Sequence, residues 1–371
     1  MLSVFSSPGH YVQGRDATVS LGPEMVRLGL SGPVLIVASP SAERLLATTW
    51  QETFRAAGIE YVLHRFGGEC SRAEVARITD AATQNLSAVV VGAGGGKALD
   101  AARAAADDLD LPMVSCPTAA SNDAPCSALS VLYTPEGRFD AYQLVRRNPA
   151  LVLVDSSAVV RAPARLFSAG MGDALATWFE ARTCVAGRVR NMRGGAPTIT
   201  AAALAELCHR TLMADGADAL KAVRQQVVTP AVERLIEANT LLSGLGFESS
   251  GLAAAHAVHN GLTVVPETHS YLHGEKVAFG VLTQLVLEGA PSSETTAVLD
   301  FCTAVGLPVT LAELGLVDAT RSTIEQIATR ATAEGETIHN EPFAVDAEMT
   351  ADAITAADAL GQSRLKTRNR A

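Results

Sequence analysis

Five short apolar runs in the first 160 residues constrain this chain more than any other feature: PVLIVAS (33 to 39), IEYVLHRF (59 to 66), LSAVVVG (86 to 92), PMVSCPT (112 to 118) and PALVLVDSS (149 to 157). They are rich in β-branched residues and largely apolar throughout, as strands covered by helices on both faces must be. Between the first three lie SAERLLATTWQETFRAAG and SRAEVARITDAATQN, with apolar residues at helical spacing and Gly or Asn near their ends. Strand and helix in alternation build βαβ units, and βαβ units build a mostly parallel sheet. From about Pro163 the β-branched runs give way to Ala-rich and Leu-rich stretches of helical texture. The boundary falls in SSAVVRAPARLF, giving an α/β domain over residues 1–162 and an all-α domain over 163–371.

Composition removes several function classes. Hydrophobic residues make up 48% of the chain, yet no uninterrupted apolar run approaches the roughly eighteen residues of a spanning helix. The N-terminal MLSVFSSPGHYVQGRDA has no basic segment followed by a long apolar one. A cytoplasmic protein without a membrane partner is expected. Cys70, Cys116, Cys126, Cys184, Cys208 and Cys302 are scattered without a CxxC pair, as buried, reduced thiols would be. With a net charge of −10 and no basic cluster longer than the terminal KTRNR, the chain lacks the surface that nucleic acid requires.

In VVVGAGGGKALDAARAAADD, glycines 92, 94, 95 and 96 and Lys97 lie between a strand ending near Val91 and a helix starting near Ala98. Consecutive glycines let a phosphate approach the backbone, and a helix N-terminus beyond them offers N–H groups and partial positive charge. A Walker A loop would need Gly at 91 and Ser or Thr at 98, where Val91 and Ala98 stand, and the spacing also misses GxGxxG. Close strand-to-helix packing alone is the other use of such glycines. The loop after the next strand, PTAASNDAPCSALSVLY (117 to 133), suits ligand binding at the carboxyl end of an open sheet, or is an ordinary polar turn.

Asp173, in FSAGMGDALATWFEA, sits in an apolar stretch where a carboxylate needs a positive partner, either a helix dipole or a metal ion. The segment GLAAAHAVHNGLTVVPETHSYLHGEKVAFG (251 to 280) carries His256, His259, His269 and His273. His256 alone reads rather as a packing residue than as a ligand, since HAVH at i, i+3 occurs on many helices. His273, before what looks like a helix start, turns the balance, since Asp173, His256 and His273 form the ligand set of a catalytic metal site with open positions. His259, one turn from His256, is a candidate for orienting a ligand or for simple packing and takes no assigned role; His269 and His339 are expected to bind no metal.

The stretches GAGGGKALD, PTAASNDAPCSALSVLY, GMGDALATWFEA, VVTPAVERLIEANTLLSGLGFESSGLAAAHAVHNGL and HGEKVAFG resemble those of the bacterial glycerol dehydrogenases, a zinc-dependent branch of the iron-containing alcohol dehydrogenase superfamily, over nearly the whole chain. The resemblance implies the dehydroquinate synthase-like fold of that superfamily, in which the α/β domain is a Rossmann-like nucleotide-binding domain that takes NAD and the all-α C-terminal domain binds metal and substrate, with Zn2+ held by Asp173, His256 and His273. It also implies that Gly95, Gly96 and Lys97 cradle the NAD pyrophosphate, with Asp100 nearby. Thr118, Ser121, Ser127, Leu129 and Tyr133 match positions around the nicotinamide half, and Asp123 matches a position that contacts the polyol. A homo-oligomer, up to an octamer, is implied too.

Two departures bear on these expectations. Relatives that hold iron carry a DxxxH pair, whereas the residue four after Asp173 is Thr177, which favours a three-ligand zinc site. Where glycerol dehydrogenases usually have Gly-Asp at the end of the first strand, this chain has Ala38-Ser39. An acid there would bind the ribose 2′-hydroxyl and repel a 2′-phosphate, so rejection of NADP should be weakened, with NAD still preferred because no Arg adjoins Ser39. The expected reaction is reversible, NAD-dependent oxidation of glycerol to dihydroxyacetone, with zinc as Lewis acid. Three protein ligands leave zinc room for both oxygens of a vicinal diol, so glycerol and 1,2-propanediol should be favoured over simple alcohols. The rival within the superfamily, a dehydroquinate synthase-like lyase, would need several Lys and Arg around the substrate, and the segments near the three ligands offer mainly Lys276.

Overall fold

The computed structural model describes residues 1–135 and 137–368. Two compact units are present: Ser6–Phe167 with Ala222–Gly244, and Met1–Phe5 with Ser168–Lys221 and Leu245 onward.

The first unit is α/β. Its strands are β1 (Tyr11–Gly14), β2 (Val34–Ala38), β3 (Tyr61–Arg65), β4 (Val89–Gly94), β5 (Met113–Pro117), β6 (Leu129–Tyr133), β7 (Phe139–Leu144) and β8 (Leu151–Asp155), and its helices are α1 (Leu21–Arg27), α2 (Pro40–Ala57), α3 (Arg72–Gln84), α4 (Gly96–Asp108) and α5 (Ser156–Val159). Six strands form one sheet in the order β1-β8-β5-β4-β2-β3, and every pair is parallel. The five apolar runs all become strands of this sheet. Period-two alternation divides their side chains between two cores. Val34, Ile36 and Ala38 pack on one face with Trp50 and Phe54 of α2, and Leu35 and Val37 on the other with Ile78 of α3 and Ala101 and Ala105 of α4. Burying each Val, Leu or Ile side chain among them contributes about 1.5–3 kcal/mol.

The sequence pattern did not announce β1 or the β6–β7 hairpin. Tyr11–Gly14 is half-buried along its length, and Phe139–Leu144 alternates half-buried with exposed residues, so neither shows the continuous apolar signal of a central strand. The glycine segment also differs from the sequence reading. β4 continues to Gly94 because it stays in register with β5 as far as Pro117. Helix α4 begins at Gly96 rather than Ala98, with Gly95 as its N-cap residue and Ala98 N–H donating to the Gly95 carbonyl at 3.0 Å.

The second unit is helical, beginning with α6 (Ala164–Gly187) and α7 (Ile199–Arg224); α8 (Pro230–Glu237) and a π turn over Ala238–Leu242 belong with the α/β unit, and α9 (Ser243–Ser250), α10 (Ala254–Leu262), α11 (His273–Leu287), α12 (Ser292–Val305), α13 (Arg321–Ala331) and α14 (Ala347–Arg368) follow. The returning segment docks on edge strand β1: Gln13 Nε2 donates to the Glu233 carbonyl and carboxylate at 2.9 and 2.7 Å, and the Tyr11 and Thr240 hydroxyls lie 3.0 Å apart. The division at 162/163 follows chain order, whereas this segment closes the sheet's edge from further along. No helix among the described residues is long and apolar enough to cross a membrane. All six cysteines are buried, and no disulfide joins any two of them.

Candidate functional site

In the helical unit, glycines set the position of the candidate metal donors. A Cβ at Gly274, in the first turn of α11, would lie 1.8 Å from the Ala169 carbonyl oxygen of α6, and one at Gly172 would lie 2.3 Å from the Gly274 carbonyl oxygen. The two backbones therefore touch at Gly172 and Gly274, and the next residue on α6 and the preceding residue on α11 are Asp173 and His273. Further along α11, a Cβ at Gly280 would lie 2.2 Å from the Ala255 carbonyl oxygen, which brings α10 and its His256 to the same place. Glu275 Oε2 accepts from the Leu272 N–H at 2.8 Å and fixes where α11 starts, with His273 as its first residue.

Asp173 Oδ1 lies 3.1 Å from His273 Nε2 and 3.4 Å from His256 Nε2. One donor atom from each of the three residues falls within 4.8 Å of the others, the one such metal-competent group among the described residues. Two donors each about 2.1 Å from a tetrahedral ion sit about 3.4 Å apart, close to what is found here. Burial pushes the Asp173 carboxyl up, but the charge and hydrogen bonds of His273 and His256 outweigh it and hold Asp173 well below the usual carboxylate range.

The layer behind these atoms decides which nitrogens face inward. Glu180, two turns beyond Asp173 on α6 and fully buried, accepts from His256 Nδ1 at 2.6 Å through Oε2. Its other oxygen accepts the Ala253 and His256 main-chain N–H groups at 2.8 and 3.0 Å, so it caps α10 while aiming the ring. His256 is lowered by burial but raised well above the ordinary imidazole value by Glu180 and Asp173. On the other side, Asn260 Nδ2 donates to Glu336 at 2.9 Å, which turns Oδ1 toward His259 Nδ1 at 3.1 Å. His259 Nδ1 then carries the proton, and its Nε2 accepts from His273 Nδ1 at 2.9 Å. Burial, with the neighbouring His273, Lys276 and His256, pushes His259 well below the ordinary value, keeping it the acceptor this chain requires. Both outer rings thus present Nε2 lone pairs toward a carboxylate oxygen. Only positive charge satisfies three such atoms, as protons on the rings or as a metal ion, and one carboxylate with two imidazoles suits a first-row divalent ion. Thr177, four residues after Asp173, is buried with its methyl so close to Gly246 that a Cβ there would approach it to 2.6 Å. His269 and His339 instead reach the main-chain carbonyls of Thr263 and Thr332.

In the α/β unit, the carboxyl ends of β2, β4 and β5 bring together many of the residues expected to hold a dinucleotide. A Cβ at Gly95 would meet nothing within 4 Å, and one at Gly96 would come within 2.4 Å of Asn122 Nδ2, so the loop is open on one side and covered by Asn122 on the other. The Thr118 N–H donates to the Gly94 carbonyl at 3.0 Å. Lys97 Nζ sits 4.9 Å from the Tyr133 ring centroid and 2.7 Å from Glu69 Oε2. Ser121 and Asp123 are half-buried, and Asp123 Oδ2 accepts from the Ser243 hydroxyl at 3.0 Å. Asp100, Ser127 and Leu129 are turned inward. Asp100 accepts from Arg103 Nη1 at 2.5 Å and from the Val131 N–H at 3.1 Å, and Arg103 also donates to the Leu129 and Ala124 carbonyls. These side chains set the shape of the 124–131 loop from behind.

Ser39 caps α2, accepting from the Ala42 N–H at 3.2 Å. The expectation that no arginine adjoins it holds along the chain but not across the sheet. Arg65, the last residue of β3, pairs in register with Ala38. Besides Arg65, local sequence pattern does not mark Glu180, Arg103 or Glu69, polar residues that each have a partner far away in the chain.

The sequence pattern of the family described as iron-containing alcohol dehydrogenase matches residues 8–156. The chain is 52% identical to a glycerol dehydrogenase of Pseudomonas putida over 360 residues, 97% of this chain and 98% of that protein. It is 46% identical to a glycolaldehyde reductase of Halobacterium salinarum, covering 98% and 99% of the two chains. The crystal structure of a probable glycerol dehydrogenase from Sinorhizobium meliloti 1021 superposes with a TM-score of 0.91 at 42% identity, over 97% of this chain and 99% of that one. At that identity across nearly its whole length, the chain is an oxidoreductase that belongs to the iron-containing alcohol dehydrogenase family, in the branch of its glycerol dehydrogenase relatives.

Proposed function

We propose that this enzyme catalyses the reversible, NAD-dependent oxidation of glycerol and related vicinal diols to hydroxyketones, dihydroxyacetone in the case of glycerol, with Zn2+ held by Asp173, His256 and His273. The observation that carries the reading is the convergence of one carboxylate oxygen and two imidazole Nε2 atoms, each ring aimed from behind by a hydrogen bond. A divalent ion held there supplies Lewis acidity to a substrate hydroxyl oxygen, and NAD takes up the hydride. Glu180 and His259 keep the ring tautomers that such an ion needs. The helical domain, residues 163–371, is assigned the metal and substrate; the α/β domain, residues 1–162, is assigned the dinucleotide, with Gly95, Gly96 and Lys97 at its pyrophosphate, Asp100 behind them, and Thr118, Ser121, Ser127, Leu129 and Tyr133 around its nicotinamide half. Asp123 is assigned a remaining substrate hydroxyl. Its hydrogen bond to Ser243 supports this by fixing the carboxylate. A cytoplasmic location and a homo-oligomer complete the reading, the latter on resemblance alone.

The deciding experiment is a substrate panel on the zinc-loaded enzyme with NAD. Glycerol and 1,2-propanediol are expected to exceed ethanol, 1-propanol and 1,3-propanediol in kcat/KM by about a hundredfold or more, because loss of orientation costs that much. Equal rates on 1-propanol and 1,2-propanediol would refute the diol preference, and no NAD reduction with any alcohol would refute the reaction.

The layer behind the donors gives a second expectation. Glu180→Gln places an amide opposite the His256 Nδ1–H, and His259→Phe keeps the ring volume while removing the acceptor of the His273 Nδ1–H. Partners of this kind are worth about 10–100-fold in metal affinity. Chelator competition should show zinc bound that much more weakly in both variants, the larger loss in Glu180→Gln because Glu180 also caps α10. Unchanged zinc affinity in both would remove the orienting role.

A further inference from the structure

We propose that Arg65, with the hydroxyls of Ser39 and Ser41, forms a site for the 2′-phosphate of NADP, so that the enzyme accepts both dinucleotides, and that Glu43 sets the ratio between them. The inference rests on the dinucleotide reading given above. In an open α/β sheet, the residue ending the strand beside the glycine-rich loop faces the adenosine ribose, where an acid selects the 2′-hydroxyl and an arginine accommodates a 2′-phosphate. Here the strand is β2 and the residue Ser39. Its N–H donates to the Ala93 carbonyl of β4 at 2.9 Å, and a Cβ at Gly94 would come within 3.0 Å of its hydroxyl, which ties it to the start of the glycine loop.

Ser39 brings no charge, but its surroundings do. The Phe66 N–H donates to the Ala38 carbonyl at 2.9 Å, fixing the end of β3 and hence Arg65 beside the β2–α2 turn. The guanidinium reaches over that turn to Glu43, in the first turn of α2, with Nε and Nη2 at 2.8 and 3.0 Å from the two carboxylate oxygens. That two-pronged geometry also fits two phosphate oxygens. The Arg65 side chain is 69% exposed and that of Glu43 22%. An ion pair this open is weak, so its arginine can exchange a carboxylate for a doubly charged phosphate at little cost. Ser39 and Ser41 add two hydroxyls 3.1 Å apart in the same turn. The hydrogen bond to Arg65, against slight desolvation, and the charges of Arg65 and Arg44 hold the Glu43 carboxyl below its ordinary range, so at neutral pH it is a fixed negative charge competing for Arg65.

The test is calorimetric titration of the zinc-loaded full-length enzyme with NAD and with NADP, in the parent and in Arg65→Gln and Glu43→Gln. Charge-assisted bonds to phosphate predict NADP affinity about tenfold or more weaker in Arg65→Gln and about tenfold tighter in Glu43→Gln, with NAD affinity within about twofold of the parent in both. If Arg65→Gln leaves the NADP-to-NAD ratio where it was, Arg65 does not meet the 2′-phosphate and the proposal fails while the dinucleotide reading stands. If the parent binds neither nucleotide, the dinucleotide reading fails and this site with it.

Discussion

Purified Asp173→Asn, His256→Ala and His273→Ala are each expected to retain under about a tenth of the parent's zinc and to lose turnover by at least about a thousandfold. The scale follows from the layer behind the donors: removing a partner of a ligand costs about 10–100-fold, and removing the ligand itself costs more. The three should differ in stability. Asp173→Asn is nearly isosteric. His273 has a side chain 35% exposed, so its truncation leaves little unfilled core. His256→Ala strips the fully buried Glu180 of its nearest positive partner, and breaking a buried pair from one side costs about 3–5 kcal/mol. The melting temperature should therefore fall most for His256→Ala. Elemental analysis of folded protein decides the assignment, and full zinc occupancy in all three variants would overturn it.

Gly274→Ala is expected to be nearly as damaging without touching a donor atom. The added methyl would sit 1.8 Å from the Ala169 carbonyl oxygen and 3.0 Å from the Asp173 nitrogen. Backbone atoms have no rotamer to escape into, so α6 and α11 must separate, at about 3 kcal/mol or more. Asp173 and His273 separate with them, and the 3.1 Å approach on which a shared ion depends is lost. Gly361→Ala is the control, because its methyl would lie equally close, 1.8 Å, to the Val309 carbonyl oxygen, and the atoms nearest to it belong to Val309 and Thr310 rather than to a donor residue. Melting curves should show both variants destabilised, while zinc per folded chain should fall only in Gly274→Ala. Equal zinc content in the two would mean that the crossing at Gly172 and Gly274 does not set the donor geometry.

Much of the fold was legible because its central strands are buried on both faces. Val34–Ala38, Met113–Pro117 and Leu151–Asp155 are buried at every residue, so hydrophobicity alone marks them. The edge strand β1 and the hairpin strand β7 carry no such mark, because a half-exposed strand reads in sequence as a polar loop. The ends of β4 and α4 were misjudged for a related reason: glycines carry no side chain from which to read periodicity, and only pairing with β5 shows that the strand reaches Gly94.

The sequence by itself determined the residue chemistry of this protein: a glycine loop after a strand, an acid in an apolar helix, two imidazoles at a helix and at a helix start, and the family to which the order of these motifs belongs. Those features are local, and local pattern is what a chain displays in one dimension. The tertiary structure alone decided which residues act together across long separations. Glu180 meets His256 from 76 residues away, His259 faces His273 once α10 and α11 close on Gly280, and Arg65 lies beside Ser39 because β2 and β3 pair in parallel register. Each of these contacts depends on backbone approach or strand register, which no spacing in the sequence records.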